Sequence, residues 1–186
     1  IPVVVHVVYN NSTENISNAQ IQSQIDVLNE DLRRKNSDTI NTPLTFQTVA
    51  ADCEIEFCLA TTDPNSNSTT GITRTQTSQS SFSSQGNPVK YSSLGGKDAW
   101  NTSEYLNIWV CDLAGGVLGY ANFPGTGNAQ IDGIVIDYDD FGNIGTATAP
   151  YDLGRTTTHE VGHWLNLHHI WGDTTCGDDF CNDTPT

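Results

Sequence analysis

Methionine is missing altogether: none occurs in the 186 residues. The chain therefore has no initiator residue. It opens directly in a strand-like run, Ile1-Pro2-Val3-Val4-Val5-His6-Val7-Val8-Tyr9, as a trimmed mature protein would. Positive charge is nearly missing too. Seven Lys and Arg stand against 22 Asp and Glu, a formal net charge of −15. Phosphate backbones and anionic lipid surfaces are bound chiefly through Lys and Arg, so neither nucleic acid nor membrane is an expected partner. No apolar run approaches the roughly 20 residues needed to cross a bilayer, and no secretory leader pattern is present. Glutamate stops at Glu160. Cysteine is odd in number: Cys53, Cys58, Cys111, Cys176 and Cys181. In an extracellular setting an odd count leaves one thiol over. Length excludes little, since 186 residues suffice for one domain with its own core.

Against these absences stands one dense stretch. Four of the five histidines fall within Thr158-His159-Glu160-Val161-Gly162-His163-Trp164-Leu165-Asn166-Leu167-His168-His169. His159, Glu160 and His163 form H-E-x-x-H. Residues four apart on a helix lie one turn above each other, so both imidazoles can reach one zinc ion, with Glu160 beside it. Catalytic zinc takes three protein ligands and keeps a fourth position open for water. The third ligand is expected from the pair His168 and His169 that follows, and a resemblance described below selects His169. Zinc so held lowers the pKa of its water to about 7. Glu160 is the expected general base, taking the water's proton and passing it to the leaving amine. A bare H-E-x-x-H arises by chance; the clustering of histidines favours the metal reading. His6 has no chelating neighbour and is expected in the core.

The run around Val3–Val8 is β-branched on both faces, the pattern of a central, doubly covered strand. Ser17 opens a helix, with Gln20 completing a capping box. Ile21, Ile25, Leu28 and Leu32 form its apolar stripe, and Arg33, Arg34 and Lys35 suit its C-terminal end. Further strands are expected over Glu54–Ala60, Tyr105–Cys111 and Asp132–Asp137. Residues 61–103 are rich in Ser, Thr, Asn and Gln and read as loop, with room for one short strand or helix. Asn67-Ser68-Thr69 and Asn101-Thr102-Ser103 match glycosylation sequons. A helix runs from about Tyr151 or Asp152 to Leu165. Strands interleaved with two main helices predict an α/β fold around a twisted, mixed, mostly parallel sheet.

The H-E-x-x-H spacing, continued to His169, resembles the metzincin signature H-E-x-x-H-x-x-G-x-x-H. Asn166 stands where that family usually has Gly. The position turns the chain back toward the metal, and Asn tolerates the left-handed conformation better than most residues. Glu160-Val161-Gly162-His163-Trp164-Leu165 followed by Cys181-Asn182-Asp183-Thr184-Pro185 most resembles the pappalysin family; residues 155–186 carry the match. The resemblance implies a metzincin-type catalytic domain. Residues 1–169 would be its upper subdomain, including the active-site helix, and 170–186 the incomplete start of its lower one. It implies an edge strand along the cleft at Gly119, Tyr120 and Ala121, to which an extended peptide can add by backbone hydrogen bonds. In the family a Met-turn lies below the zinc and the later cysteines pair further downstream; neither is possible within this chain. Cys176 could instead pair with Cys181. The acidic loop after His169 offers the oxygens calcium takes. On the resemblance Asp179 and Thr184 are its first candidates, followed by Asp183 and Asp173.

The expected protein is thus a secreted, monomeric zinc endopeptidase acting on protein or peptide substrates, with calcium as a second cofactor. A thermolysin-like enzyme needs a later Glu as third ligand, and none follows Glu160. The remaining alternatives are a zinc-containing binding module that does not cut, and an inactive truncated form.

Overall fold

The computed structural model describes residues 1–182, so Asp183 and Thr184 lie outside the described residues. In chain order the elements are β1 (Pro2–Tyr9), α1 (Asn18–Leu32), β2 (Cys58–Leu59), β3 (Ile72–Gln76), β4 (Leu106–Cys111), β5 (Gly119–Ala121), β6 (Ile134–Asp137) and α2 (Arg155–Trp164). They form one six-stranded sheet with the two α-helices. β1 is central, as its valines require: Val3, Val4, Val5, Val7 and Val8 are all buried. β4 pairs with one side of β1. The short strands β2 and β3 follow each other along its other side. Beyond β4 comes β6, also parallel. β5 alone is antiparallel, pairing with β6 through Gly119 opposite Ile136 and Ala121 opposite Ile134. The mixed, mostly parallel sheet with two helices is the expected α/β architecture.

Each face of the sheet has its own cover. On one, Val3, Val5, Val7, Ile108, Val110, Ile134 and Ile136 pack against Ile21, Ile25 and Leu28 of α1 and Val161 of α2. On the other, Val8, Trp109, Cys111 and Val135 pack against Phe82, Val89 and Leu113. The polar segment read as loop therefore supplies β3 and, through Phe82 and Val89, part of the second apolar layer.

Two local expectations need correction. The strand read over Glu54–Ala60 shrinks to Cys58–Leu59. Glu54 takes φ +55, with its N–H donated to Asp52 Oδ1 at 2.8 Å, and this turn interrupts the extended run. The capping box is only half made. Ser17 Oγ accepts the Gln20 N–H at 3.1 Å, but the Gln20 side chain does not return the bond. It is buried, and its Nε2 donates to Phe141 O and Thr146 Oγ1, each at 2.8 Å.

One turn later Gln24, also buried, ties α1 to α2. Its Oε1 accepts from Gly142 N at 2.7 Å and Thr157 Oγ1 at 2.8 Å, and its Nε2 donates to Gly154 O at 3.0 Å. These bonds fix where α2 starts, and so where its histidines point. His6 is a core residue: its ring bonds Thr73 Oγ1 at 2.7 Å and Asn107 Oδ1 at 3.0 Å. Burial lowers its pKa to about 4, so it stays neutral.

Candidate metal centre

Helix α2 places His159 and His163 one turn apart, with their Nε2 atoms 3.0 Å from each other. The helix must then end abruptly for His169 to come back. It does so in a Schellman turn. Leu167 N donates to Gly162 O and Asn166 N to His163 O, both at 2.9 Å. Asn166 takes φ +76, the left-handed conformation for which Gly is the usual choice. The reversal brings His169 Nε2 to 3.1 Å from both His159 Nε2 and His163 Nε2.

The ring partners decide what these nitrogens are. His163 Nδ1 donates to Leu167 O at 2.7 Å, and His169 Nδ1 donates to Asp173 Oδ1 at 2.5 Å. A peptide carbonyl and a carboxylate only accept, so both protons sit on Nδ1. A neutral imidazole then leaves Nε2 as a bare lone pair. Two such lone pairs face each other at 3.1 Å with a third imidazole nitrogen beside them. That is repulsive without a cation and favourable with one. Zinc bonds imidazole at about 2.0–2.1 Å, so nitrogens 3.0–3.1 Å apart can all touch one ion. The residues fit the metal, and the Nδ1 partners of His163 and His169 are of the kind that orient metal-bound imidazoles.

His168 lies outside this cluster. It stacks on Phe123 with ring centroids 4.8 Å apart and meets Phe180 edge-on at 5.4 Å. Trp171 stacks on the back of His169 at 4.5 Å.

Glu160 is only 7% exposed. Its Cγ would sit 3.2 Å from a Cβ placed on Gly119, which would also meet Ile136 Cδ1 at 2.9 Å and Val135 O at 3.0 Å. Only glycine lets β5 lie this close to α2. Burial pushes the Glu160 carboxyl up to about 7. A cavity of about 430 Å³ opens beside it, bordered by Leu118, Gly119, Tyr151, Leu153 and His159. Among the described residues no strand pairs with the outer side of β5. Its backbone is therefore available along this groove.

The Tyr120 side chain points away from the groove, into the second apolar layer. There it meets a residue the sequence did not suggest. Lys90 is completely buried. Its Nζ donates to Asn122 Oδ1 at 2.7 Å, Ile131 O at 2.6 Å and Gly133 O at 3.2 Å, and lies over the Trp109 and Tyr120 rings. Burial lowers its pKa to about 7. It ties the exit of β5 to the segment leading into β6. No local pattern marks Lys90, because its partners lie more than 30 residues away.

Asp173, a candidate calcium ligand from sequence, accepts from His169 Nδ1 through its Oδ1. Asp179 is buried and accepts from Cys181 N at 3.0 Å. Its expected companions Asp183 and Thr184 lie outside the described residues. Cys111 is buried, while Cys53, Cys58 and Cys176 are exposed. Among the described residues no helix is long and apolar enough to cross a membrane.

The chain resembles known proteins in both sequence and overall fold. The sequence profile of the pregnancy-associated plasma protein-A family matches residues 90–186, a little over half the chain. Mature mirolysin of Tannerella forsythia, solved in complex with a cleaved peptide, is 59% identical with a TM-score of 0.95, covering 100% of this chain and 71% of that one. An extracellular metalloprotease of Verticillium alfalfae is 40% identical over 88 residues, 44% of this chain and 31% of that protein. One of Pyricularia oryzae is 28% identical over 190 residues, 97% of this chain and 54% of that protein. The chain thus spans between about a third and about half of the curated relatives it matches.

Proposed function

The chain belongs to the pregnancy-associated plasma protein-A family of metallopeptidases, the pappalysins, and on that premise we propose that it is a secreted zinc endopeptidase. The observation that carries the proposal is the convergence of three imidazole Nε2 atoms at 3.0–3.1 Å, two of them held as lone pairs by Leu167 O and Asp173. His159, His163 and His169 are the ligands. Zinc bound there would supply Lewis acidity, polarising the scissile carbonyl and lowering the pKa of a water.

The rest is done by the chain's own groups. The free edge of Gly119–Ala121 takes an extended peptide by backbone pairing, which lays the scissile bond across the groove next to Glu160. Gly119, Tyr120 and Ala121 act there through their main chains. Glu160 accepts the water's proton as the water oxygen bonds to the carbonyl carbon. It then delivers that proton to the departing amine as the C–N bond breaks. Its low exposure keeps its pKa nearer neutrality than a surface carboxylate's, which suits a group that must both take and return a proton. Residues 1–169 form the upper wall of the cleft, and the chain from 170 begins the lower one. Calcium in the loop holding Asp179, Asp183 and Thr184 would brace that lower wall. Secretion rests on relatives named extracellular metalloproteases, and is checked by recovery of the protein from culture medium.

Glu160→Gln tests the mechanism. Zinc content should be unchanged and turnover should fall by about 10²-fold or more. Near-normal proteolysis by this variant would sink the assignment of Glu160.

A further inference from the structure

A second cluster of ligand-type side chains lies where β6 ends. Asp137, Asp139 and Asp140 bring carboxylate oxygens within 4.8 Å of one another. Asp137 is partly committed, accepting from Leu113 N at 2.7 Å and Asp139 N at 3.3 Å. Asp140 is not. It is only 5% exposed, yet its side chain has no hydrogen bond among the described residues, and it faces its two acidic neighbours at the wall of a cavity of about 380 Å³. Asp112 lines the same cavity, and no Lys or Arg does. Burial and the Asp139 charge push Asp140 up to about 6, and burial above all pushes Asp137 up to about 8. Three acidic groups are thus packed together without a compensating cation from the protein.

We propose that Asp137, Asp139 and Asp140 bind a calcium ion, at a site separate from the histidine cluster and from the loop of Asp179. All the donors are hard oxygens. Calcium–oxygen bonds of about 2.3–2.6 Å allow two ligands to lie up to about 5 Å apart, so one ion spans the set, and the cavity leaves room for the waters that complete six to eight ligands. The site also adjoins the groove. Asp137 N donates to Leu118 O at 2.8 Å, at the entry to β5, and Thr148 N donates to Asp139 O at 2.9 Å. Leu118, Pro150 and Tyr151 line both this cavity and the one beside Glu160. The ion would fix the segment carrying Asp137–Asp140 and, through it, the start of the edge strand and the loop at 148–151.

The test compares zinc-loaded wild-type protein with Asp140→Asn and Asp139→Asn, each exchanged into calcium-free buffer containing zinc. Calcium at a hundredfold excess over its Kd should raise the wild-type Tm by about 5–10 °C. Each variant should melt no lower than wild type without calcium, because a repelling charge is gone. Each should also bind one calcium fewer and lose much of that rise. Asp179→Asn should keep this equivalent. Wild-type calcium stoichiometry and an undiminished Tm rise in Asp140→Asn would overturn the proposal. If the aspartate variants do not fold, terbium in the Asp179→Asn background decides it. Emission sensitised by Tyr138 and Tyr151, and displaced by calcium, supports the site; no sensitised emission refutes it. None of these readouts depends on peptidase activity, so failure here leaves the zinc chemistry standing.

Discussion

Replacing Asp173 with Ala should weaken zinc binding without touching a ligand. Asp173 Oδ1 accepts the His169 Nδ1 proton at 2.5 Å. Its loss frees the ring to rotate and to move its proton to Nε2, the nitrogen meant for the metal. Removing such a partner typically lowers metal affinity by about 10–100-fold, or about 1.4–2.7 kcal/mol. The Asp173 side chain is 59% exposed, so water can take its place in part and solvent screens its charge. The lower end of the range, about tenfold, is therefore expected. Asp173→Asn keeps an accepting oxygen and should lose less. The assay is competition for zinc against a chromophoric chelator at fixed pH, with His168→Ala as a control predicted to match wild type. Wild-type affinity in Asp173→Ala would refute the tautomer argument, because the His169 lone pair would then need no anchor.

Other consequences follow from the same contacts. Gly119→Ala adds a Cβ within 3.0 Å of Ile136 Cδ1 and Val135 O and 3.2 Å from Glu160 Cγ; displacing the base should cut turnover by roughly 10–100-fold with zinc content unchanged, measured by parallel activity and metal assays. Gln24→Leu would strand Gly142 N and Thr157 Oγ1 and leave Gly154 O with only Thr158 N, at 3.5 Å; at about 1–3 kcal/mol per stranded buried group, several kcal/mol should be lost, lowering Tm by about 10 °C. His169→Ala should lower zinc content sharply after dialysis, while His168→Ala should not; the reverse order would move the ligand.

The histidine cluster was legible because its spacing is set by local geometry. A helix fixes His159 against His163, and a single left-handed residue at Asn166 fixes His169 against both. β1, β4 and β6 were legible because buried parallel strands are written as β-branched runs. What stayed hidden depends on distant partners. Gln20 looked like a cap residue, but it bonds residues more than 100 positions away. Lys90 sat in a polar stretch with nothing local to mark it as buried. Phe82 and Val89 cover a sheet face as isolated anchors, and isolated anchors have no period. Asp137 read as the end of a strand, and only the fold shows Asp139 and Asp140 turned back onto it.

The central claim is that the three imidazoles hold a zinc ion that makes the groove hydrolytic. The most direct measurement is zinc content and casein hydrolysis on the same full-length sample, before metal removal, after it, and after zinc is restored. The account predicts one tightly held zinc ion per histidine cluster, no hydrolysis once it is removed, and recovery on adding zinc. Hydrolysis that persists in the metal-free protein would contradict it, as would a zinc-loaded wild-type protein that cuts no peptide bond.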